Sequence, residues 1–307
     1  MTLSATFGFV NAFKPPGPSS AAFGNWVKHV CGAEAVGHWG TLDPTACGVL
    51  VLAVGKATKL LPLLPHARKK YIFELVVGER TDTGDAKGII VERTPVAEGW
   101  ASALASVASS LVGSATQIPP MHSAVKIGGQ PLYRLARKGQ HVPRAPRAVE
   151  IFELRVIAHE ERTARLLIGC EAGTYVRVVC EELGRRLGLP ARMGALLRIA
   201  SGPFELRDSV TPQTIATDLD GCITSPLTVL ANPRVELDER GAWRFAHGNE
   251  VQLAPDLCSN GPLGPFDSQE SATEVLVTLD GALVGCGVLV ARDGTKLLAP
   301  TRVFAEH

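Results

Sequence analysis

The sequence predicts a mixed α and β protein that ends in a small β module, and three observations carry that expectation. Runs with the β-branched and aromatic content of strands, at 7–12, 49–54 and 71–77, alternate with other kinds of segment. Those segments, at 21–30, 100–111 and 176–187, carry apolar residues at helical spacing. From residue 248 onward there are only short apolar runs separated by glycine-rich turns. With 307 residues, 46% hydrophobic and 20% charged, the chain has material for one large domain plus a small one, and its composition excludes a disordered or fibrous protein. No apolar stretch is long enough to span a membrane. The first residues lack the basic and apolar regions of a secretory signal. Seven scattered cysteines without a CxxC pair fit reduced thiols, so a cytoplasmic protein is expected, with no metal site.

Taken in order, residues 7–12 form a first strand, and Lys14-Pro15-Pro16-Gly17-Pro18 stops it. Ser19 or Ser20 can then cap the amphipathic helix at 21–30. Lys14 can pair with a phosphate or carboxylate, or lie on the surface beside the turn. Residues 37–60, GHWGTLDPTACGVLVLAVGKATKL, read as a glycine-rich loop braced by a buried strand at 49–54. Asp43 stands in that loop before Pro44, which restrains its backbone; from these residues alone both a turn role and a chemical role stand open. Cys47 reads as a small buried thiol. A basic patch at 66–70 leads into the strand that Tyr71 begins, and the glycines and aspartates of 78–88 read as a tight turn, not as metal ligands. Gly113 is placed to end the helix at 100–111.

From 99 to 149 there is no Asp or Glu, whereas Lys126, Arg134, Arg137, Lys138, Arg144 and Arg147 all fall there. In a chain of net charge +1 this is a footprint expected for phosphate contact, or a solvated face whose acidic partners come from elsewhere. Residues 152–158 and 164–170 predict an antiparallel strand pair. Gly173-Thr174-Tyr175-Val176-Arg177 turns into a helix with Val176, Val179, Cys180, Leu183 and Leu187 on one face, closed by Gly184 and Gly188. Tyr175 can be a core residue and Arg177 a partner for any nearby acid. Residues 211–233 show weak periodicity and predict a linker with a boundary near Ala231. In the final module Asp280-Gly281 and Asp293-Gly294 are hairpin signals, and 259–273 reads as a loop.

The stretch GHxGTLDPxAxGVLxxxxGxATK resembles the active-site signature of the TruB-type tRNA pseudouridine synthases, with Trp39 where that family usually has a small polar residue. KPPGPSS is similar to the family's KPxGxTS element, 78–88 to GxxTDTxDxxG, and 117–147 to QxPPxxSAxKxxGxxxYxxAxxGxxVxxxxR, with His122 in place of a frequent tyrosine. GTYVRVVCEELGRRLG resembles GTYIRxLxxDLGxxLG, and LLRIASGPF resembles LRRxxxGxF, with Leu197 replacing the first arginine. The last segment resembles a PUA-like module. The resemblance implies an α+β catalytic domain on a mixed, largely antiparallel sheet over residues 1–230, with an RNA-clamping insert at about 119–147 and a PUA-like RNA-binding module at 231–307. It implies isomerisation of uridine 55 to pseudouridine in the T loop of tRNA. The enzyme would act as a monomer on the T-arm stem-loop, with no guide RNA, no membrane and no cofactor.

In that chemistry the base is flipped out of the RNA, held and shielded from water. Asp43 would be the nucleophile, attacking C1′ or otherwise stabilising the detached base, and Arg177 would keep it ionised. Tyr71 would stack on the uracil and help remove the C5 proton, Tyr175 and Leu196 would complete the pocket, and His38 would fill the gap left in the RNA. Lys14 would support the loop, and Lys126, Arg134, Arg137, Lys138, Arg144 and Arg147 would contact RNA. A T-arm-binding folding factor with incidental catalysis is the alternative. A glycosidase is disfavoured because no second carboxylate stands in a matching motif.

Overall fold

In the computed structural model of the chain, residues 7–65, 68–123, 125–140, 142–253, 274–292 and 295–304 are described. The order of the first elements follows the sequence pattern closely. Strand β1 spans Gly8–Lys14, helix α1 Ser20–Val30, β2 Val36–Trp39, β3 Cys47–Val54 and β4 Lys69–Val77. Ser19 caps α1 by accepting from the Ala22 N–H at 3.1 Å. Among the described residues nine strands form one mixed sheet. Its main path runs β1, β3, Ala191–Ser201, β4, Thr163–Cys170, Arg147–His159 and the edge strand Gly113–Gln117. All these pairings are antiparallel except that of β3 with Ala191–Ser201. The expected α+β class with a largely antiparallel mixed sheet is therefore present.

Strand β3 shows why its sequence is a continuous apolar run. Leu50, Leu52 and Val54 pack into the large core under α1 and the helix Val176–Leu187. Val49, Val51 and Ala53 point the other way, into a second cluster with Phe9, Phe204, Leu276, Leu283 and Phe304. A strand covered on both faces has no polar side to alternate. The cover on the second face comes from a five-stranded sheet ordered Arg234–Glu236, Glu274–Leu279, Ala282–Arg292, Thr295–Val303, Val251–Gln252. Lys56 Nζ donates to the Phe304 carbonyl at 2.9 Å across this seam.

Several sequence expectations are corrected. The helical stretch at 100–111 is a 3-10 turn, Trp100–Ala103, followed by α2, Leu104–Ser109. It ends before Gly113, because Ser109 and Ser110 turn their hydroxyls back onto the carbonyls of Ala105 and Val107. Gly113, at φ +112°, opens the edge strand instead. A short α3, Leu132–Ala136, follows in the insert, and α4 spans Val176–Leu187. Gly188, at φ +73°, caps α4 as expected. Gly184 lies inside it, where a Cβ would stand 2.4 Å from that of Ala191, so the glycine permits helix and strand to touch. The expected linker at 211–233 is ordered into the helices Pro212–Thr217, Leu219–Cys222 and Pro226–Val229. Ile215 is fully buried there, and Thr224 exchanges backbone hydrogen bonds with Phe9 at 2.9 and 2.7 Å. Helices of about one turn are too short to show a 3.6-residue period.

In the C-terminal sheet Asp280 and Gly281 take φ 50° and 73°, the geometry of a two-residue hairpin turn, and Leu279 faces Ala282. Arg292 faces Thr295 across the second hairpin. Its Asp293-Gly294 turn and the loop at 259–273 lie outside the described residues, as does His66 of the basic patch. The sequence did not reveal the helix Glu239–Ala246 that packs on this sheet.

Phe304 is fully buried at the seam, so Phe304→Ala is expected to lower the unfolding free energy by about 3–5 kcal/mol. Urea denaturation measures this; a loss below about 1 kcal/mol would mean that the two sheets do not depend on each other.

Candidate active site

The loop between β2 and β3 is held from both sides by short-range chemistry. The Ser20 hydroxyl accepts from Leu42 N–H at 2.8 Å and donates to Leu42 C=O at 3.0 Å, so the first turn of α1 grips the residue before Asp43. Gly17 N–H donates to Pro44 C=O at 2.7 Å on the other side, and Ala46 N–H to Asp43 C=O at 3.0 Å. Leu42 anchors the loop in the core. Lys14 is not on the surface, and among the described residues no acid pairs with it: it is fully buried, and its Nζ donates to the carbonyls of Pro15 and Pro18 at 2.8 and 2.9 Å. It stiffens the proline turn that supports the loop. Burial pulls its pKa down to about 8.

Asp43 projects into a cavity of about 360 Å³ whose walls include Tyr71, Ser123, Tyr175, Arg177, Met193 and Leu196. Its Oδ2 lies 2.9 Å from Arg177 Nη2. Arg177, in the first turn of α4, is 4% exposed and the Asp43 side chain 33%. The guanidinium also donates to the carbonyls of Thr83 and His122 at 3.2 and 2.8 Å. It thus collects the β2–β3 loop, the 78–88 turn and the start of the insert around one helix end. Because His122 serves through its backbone, its side chain is not needed for this contact. The turn itself is internally satisfied: Asp85 Oδ1 accepts from the Thr83 hydroxyl and Lys87 N–H, and Asp82 Oδ1 from Ile89 N–H. Among the described residues no cluster of acids, histidines and cysteines could hold a metal.

The electrostatics of Asp43 depart from the sequence expectation. Burial pushes its pKa above the ordinary aspartate range; Arg177 opposes this, Asp85 adds to it, and burial prevails. Arg177 therefore orients the carboxylate and offsets part of a desolvation cost without making the group unusually acidic. Tyr71 is also pushed up, chiefly by burial, with the Arg198 guanidinium acting against it. A phenol held neutral is suited to packing and hydrogen bonding.

Tyr175 precedes α4 with its N–H on Gln117 Oε1 at 2.9 Å, which ties the end of the edge strand Gly113–Gln117, just before the insert, to the same helix end. Leu196 is 9% exposed on the strand Ala191–Ser201 and lines the cavity. His38 does not line it; it sits at the base of the loop, its Nδ1 donating to Gly40 C=O at 2.9 Å. In the insert Lys126, Arg134, Arg137, Lys138 and Arg147 reach solvent, with Arg137 over the Tyr133 ring at 5.6 Å. Arg144 differs: it is half-buried and its Nη1 donates to Pro119 C=O at 3.0 Å, so it braces the insert.

Sequence reasoning missed three side chains. Arg198 is fully buried beneath the loop and donates to Val49 C=O at 2.6 Å and Thr41 C=O at 3.3 Å. An arginine inside the apolar run LLRIA was a readable signal. Lys69 lines the cavity two residues before Tyr71 on β4, a spacing that places both on one face. Ser123 is buried against the cavity, and among the described residues its hydroxyl has no hydrogen-bond partner. Trp39 lies at the loop's edge with Lys69 Nζ 5.4 Å from its ring centroid.

A model of the TruB family pseudouridylate synthase (N terminal domain) matches residues 28–176. The chain is 43% identical over 281 residues to a tRNA pseudouridine synthase B of Syntrophotalea carbinolica, spanning 90% of each chain. It is 39% identical to one of Heliobacterium mobile over 97% of this chain and 94% of that one. Among solved structures it superposes with TM-score 0.68 on a chain of a Cbf5-Nop10-Gar1 complex at 25% identity, covering 97% of this chain and 85% of that one. A chain of an H/ACA RNP bound to a substrate RNA containing 2′-deoxyuridine gives TM-score 0.65 at 22% identity, covering 98% and 86%, and shows the shared fold.

With burial dominating, the Asp43 carboxyl should titrate above an ordinary aspartate in a ¹³C-NMR pH series. Arg177→Met should move the midpoint up further, because the cation that favours the ionised form is removed. An unchanged or lower midpoint in that variant would mean that Arg177 does not favour the ionised carboxylate.

Proposed function

The chain belongs to the TruB family of pseudouridylate synthases, and on that premise we propose that it isomerises uridine 55 in the T loop of tRNA with Asp43 as the nucleophile. Asp43 attacks C1′ of the flipped uridine as the bond to N1 breaks, so the uracil leaves as an anion and the ribose is held on the carboxylate. The ring turns, C5 attacks C1′, and the bond to Asp43 breaks. Once C5 has joined C1′ its proton is released to solvent and N1 takes one up from solvent, so no atom or electron is added overall. Tyr71 packs against the turning ring, while Tyr175 and Leu196 exclude water that would hydrolyse the intermediate. His38 fills the space left by the base in the RNA.

The observation that carries this reading is that Asp43 is the one acid among the described residues lining the cavity, and it is held by a buried arginine. A carboxylate whose ionisation is opposed by burial is more basic, and a stronger nucleophile, than one at its ordinary pKa. A glycosidase would need a second carboxyl group roughly 5–9.5 Å away as its acid or base. The domain reading follows: residues 1–230 carry catalysis, the exposed cations of the insert grip the T-arm stem-loop, and residues 231–307 form a PUA-like RNA contact. The chain acts as a monomer on tRNA, without a guide RNA. The alternative of a T-arm-binding folding factor rests on the same exposed cations, which favour binding whether or not catalysis follows.

The test uses a T-arm stem-loop carrying uridine tritiated at C5. Wild type is expected to release tritium, and Asp43→Asn to lose about three orders of magnitude or more in rate while still binding. Binding without release by either protein, on the stem-loop and on whole tRNA, would favour the folding factor.

A further inference from the structure

Lys69 is a buried cation that the reaction above does not use. It is 7% exposed at the start of β4 and lines the same cavity as Asp43 and Tyr71. Among the described residues no carboxylate lies within ion-pair reach of its Nζ and no hydrogen bond is made by it; the Trp39 ring is its neighbour. A second cation is close by. A Cβ on Gly40 would stand 2.4 Å from Lys69 Nζ and 3.7 Å from Arg198 Nη1, so both charges lie against one glycine. Arg198 directs Nε and Nη1 at the carbonyls of Val49 and Thr41, whereas Lys69 faces the cavity. The acid in the cavity wall, Asp43, is taken by Arg177. A buried ammonium without a counter-ion is strongly unfavourable, and an arriving anion removes that penalty. Burial, reinforced by Arg198, brings the Lys69 pKa down to about 8, as expected of an ammonium lacking its anion.

Gly40 adds a steric argument. Its φ is +70°, a conformation that L side chains rarely adopt, and any side chain there would displace the lysine. The glycine thus leaves room for Nζ beside the loop, and its φ keeps larger residues out of the position. The anion that accompanies a uridine into this cavity is its own backbone.

We propose that Lys69 anchors the target nucleotide by its phosphate, its ammonium donating to a phosphodiester oxygen that flanks the flipped uridine. The assignment rests on the proposed RNA substrate and extends its recognition from the base to the backbone. Lys69 positions the nucleotide and makes no bond to the reacting atoms.

The test measures stem-loop binding in an Asp43→Asn background, so that the RNA stays unreacted, across a potassium chloride series. Lys69→Met should weaken binding by roughly tenfold or more, the range of a hydrogen bond to a charged group. The slope of log affinity against log salt should shrink by about 0.7–0.9, one phosphate contact. Lys69→Arg should keep most of both. A neutral methylphosphonate at one of the two linkages flanking the target uridine should weaken binding to the protein that has Lys69 and leave the Lys69→Met protein unaffected. Equal penalties in the two proteins, an unchanged slope, or, with Asp43 present, a Lys69→Met protein that binds as well as wild type but loses turnover would overturn the proposal. If Lys69→Met does not fold, the linkage series with Lys69 present decides alone, and no penalty at either linkage overturns it. A wild type that neither binds the stem-loop nor releases tritium would overturn this proposal and the RNA substrate together. A wild type that turns over normally without the linkage effect would overturn this proposal alone.

Discussion

The contact between Asp43 and Arg177 is the point on which the site depends. One guanidinium, nearly without solvent exposure, is shared between a carboxylate and two backbone carbonyls. Those acceptors come from three stretches of chain far apart in sequence, so the pair can form only when the β2–β3 loop, the 78–88 turn and the insert are all in place. A buried arginine left without these partners would be strongly unfavourable. That makes site assembly part of folding and not a later adjustment. The pair also separates geometry from charge: Arg177 sets the direction of the carboxylate, while burial decides its pKa.

Behind the loop stands a rigid support. Strand β3 is packed on both faces, between the large core and the cluster shared with the C-terminal sheet. Gly48 lets it approach its neighbour, since a Cβ there would lie 2.2 Å from Arg198 C=O, and its φ of +104° suits glycine alone. Arg198 then reaches under the loop to Thr41. The C-terminal sheet is thus mechanically tied to the loop through β3, although it contributes no residue to the cavity wall among those described.

The site keeps unfavourable charges where a maximally stable core would have none. Lys14 and Lys69 are buried with their pKa values brought down to about 8, and Asp43 is pushed the other way. Lys14 is compensated by two carbonyls of its own turn and acts as structure. Lys69 has no such compensation among the described residues and faces the cavity, which is why the same residue type carries a different meaning at the two positions.

By itself the sequence determined the strands and helices whose pattern spans several periods, and the residues gathered in unbroken motifs. The strand at 49–54, helix α4 and the Asp280-Gly281 turn were readable because periodicity and turn chemistry are local properties, whereas Asp43, Tyr71, Tyr175 and Arg177 were singled out only by the resemblance of their motifs to a known family. What only the tertiary structure decided depends on distance between segments. That set includes the partners of Arg177, the inward turn of Lys14 and Arg144, the order in 211–233, and Lys69 and Arg198 meeting over Gly40. The direction of the Asp43 shift belongs there too. Its sign follows from how much water the surrounding walls exclude against how close the cation lies, and neither quantity exists until the chain is folded.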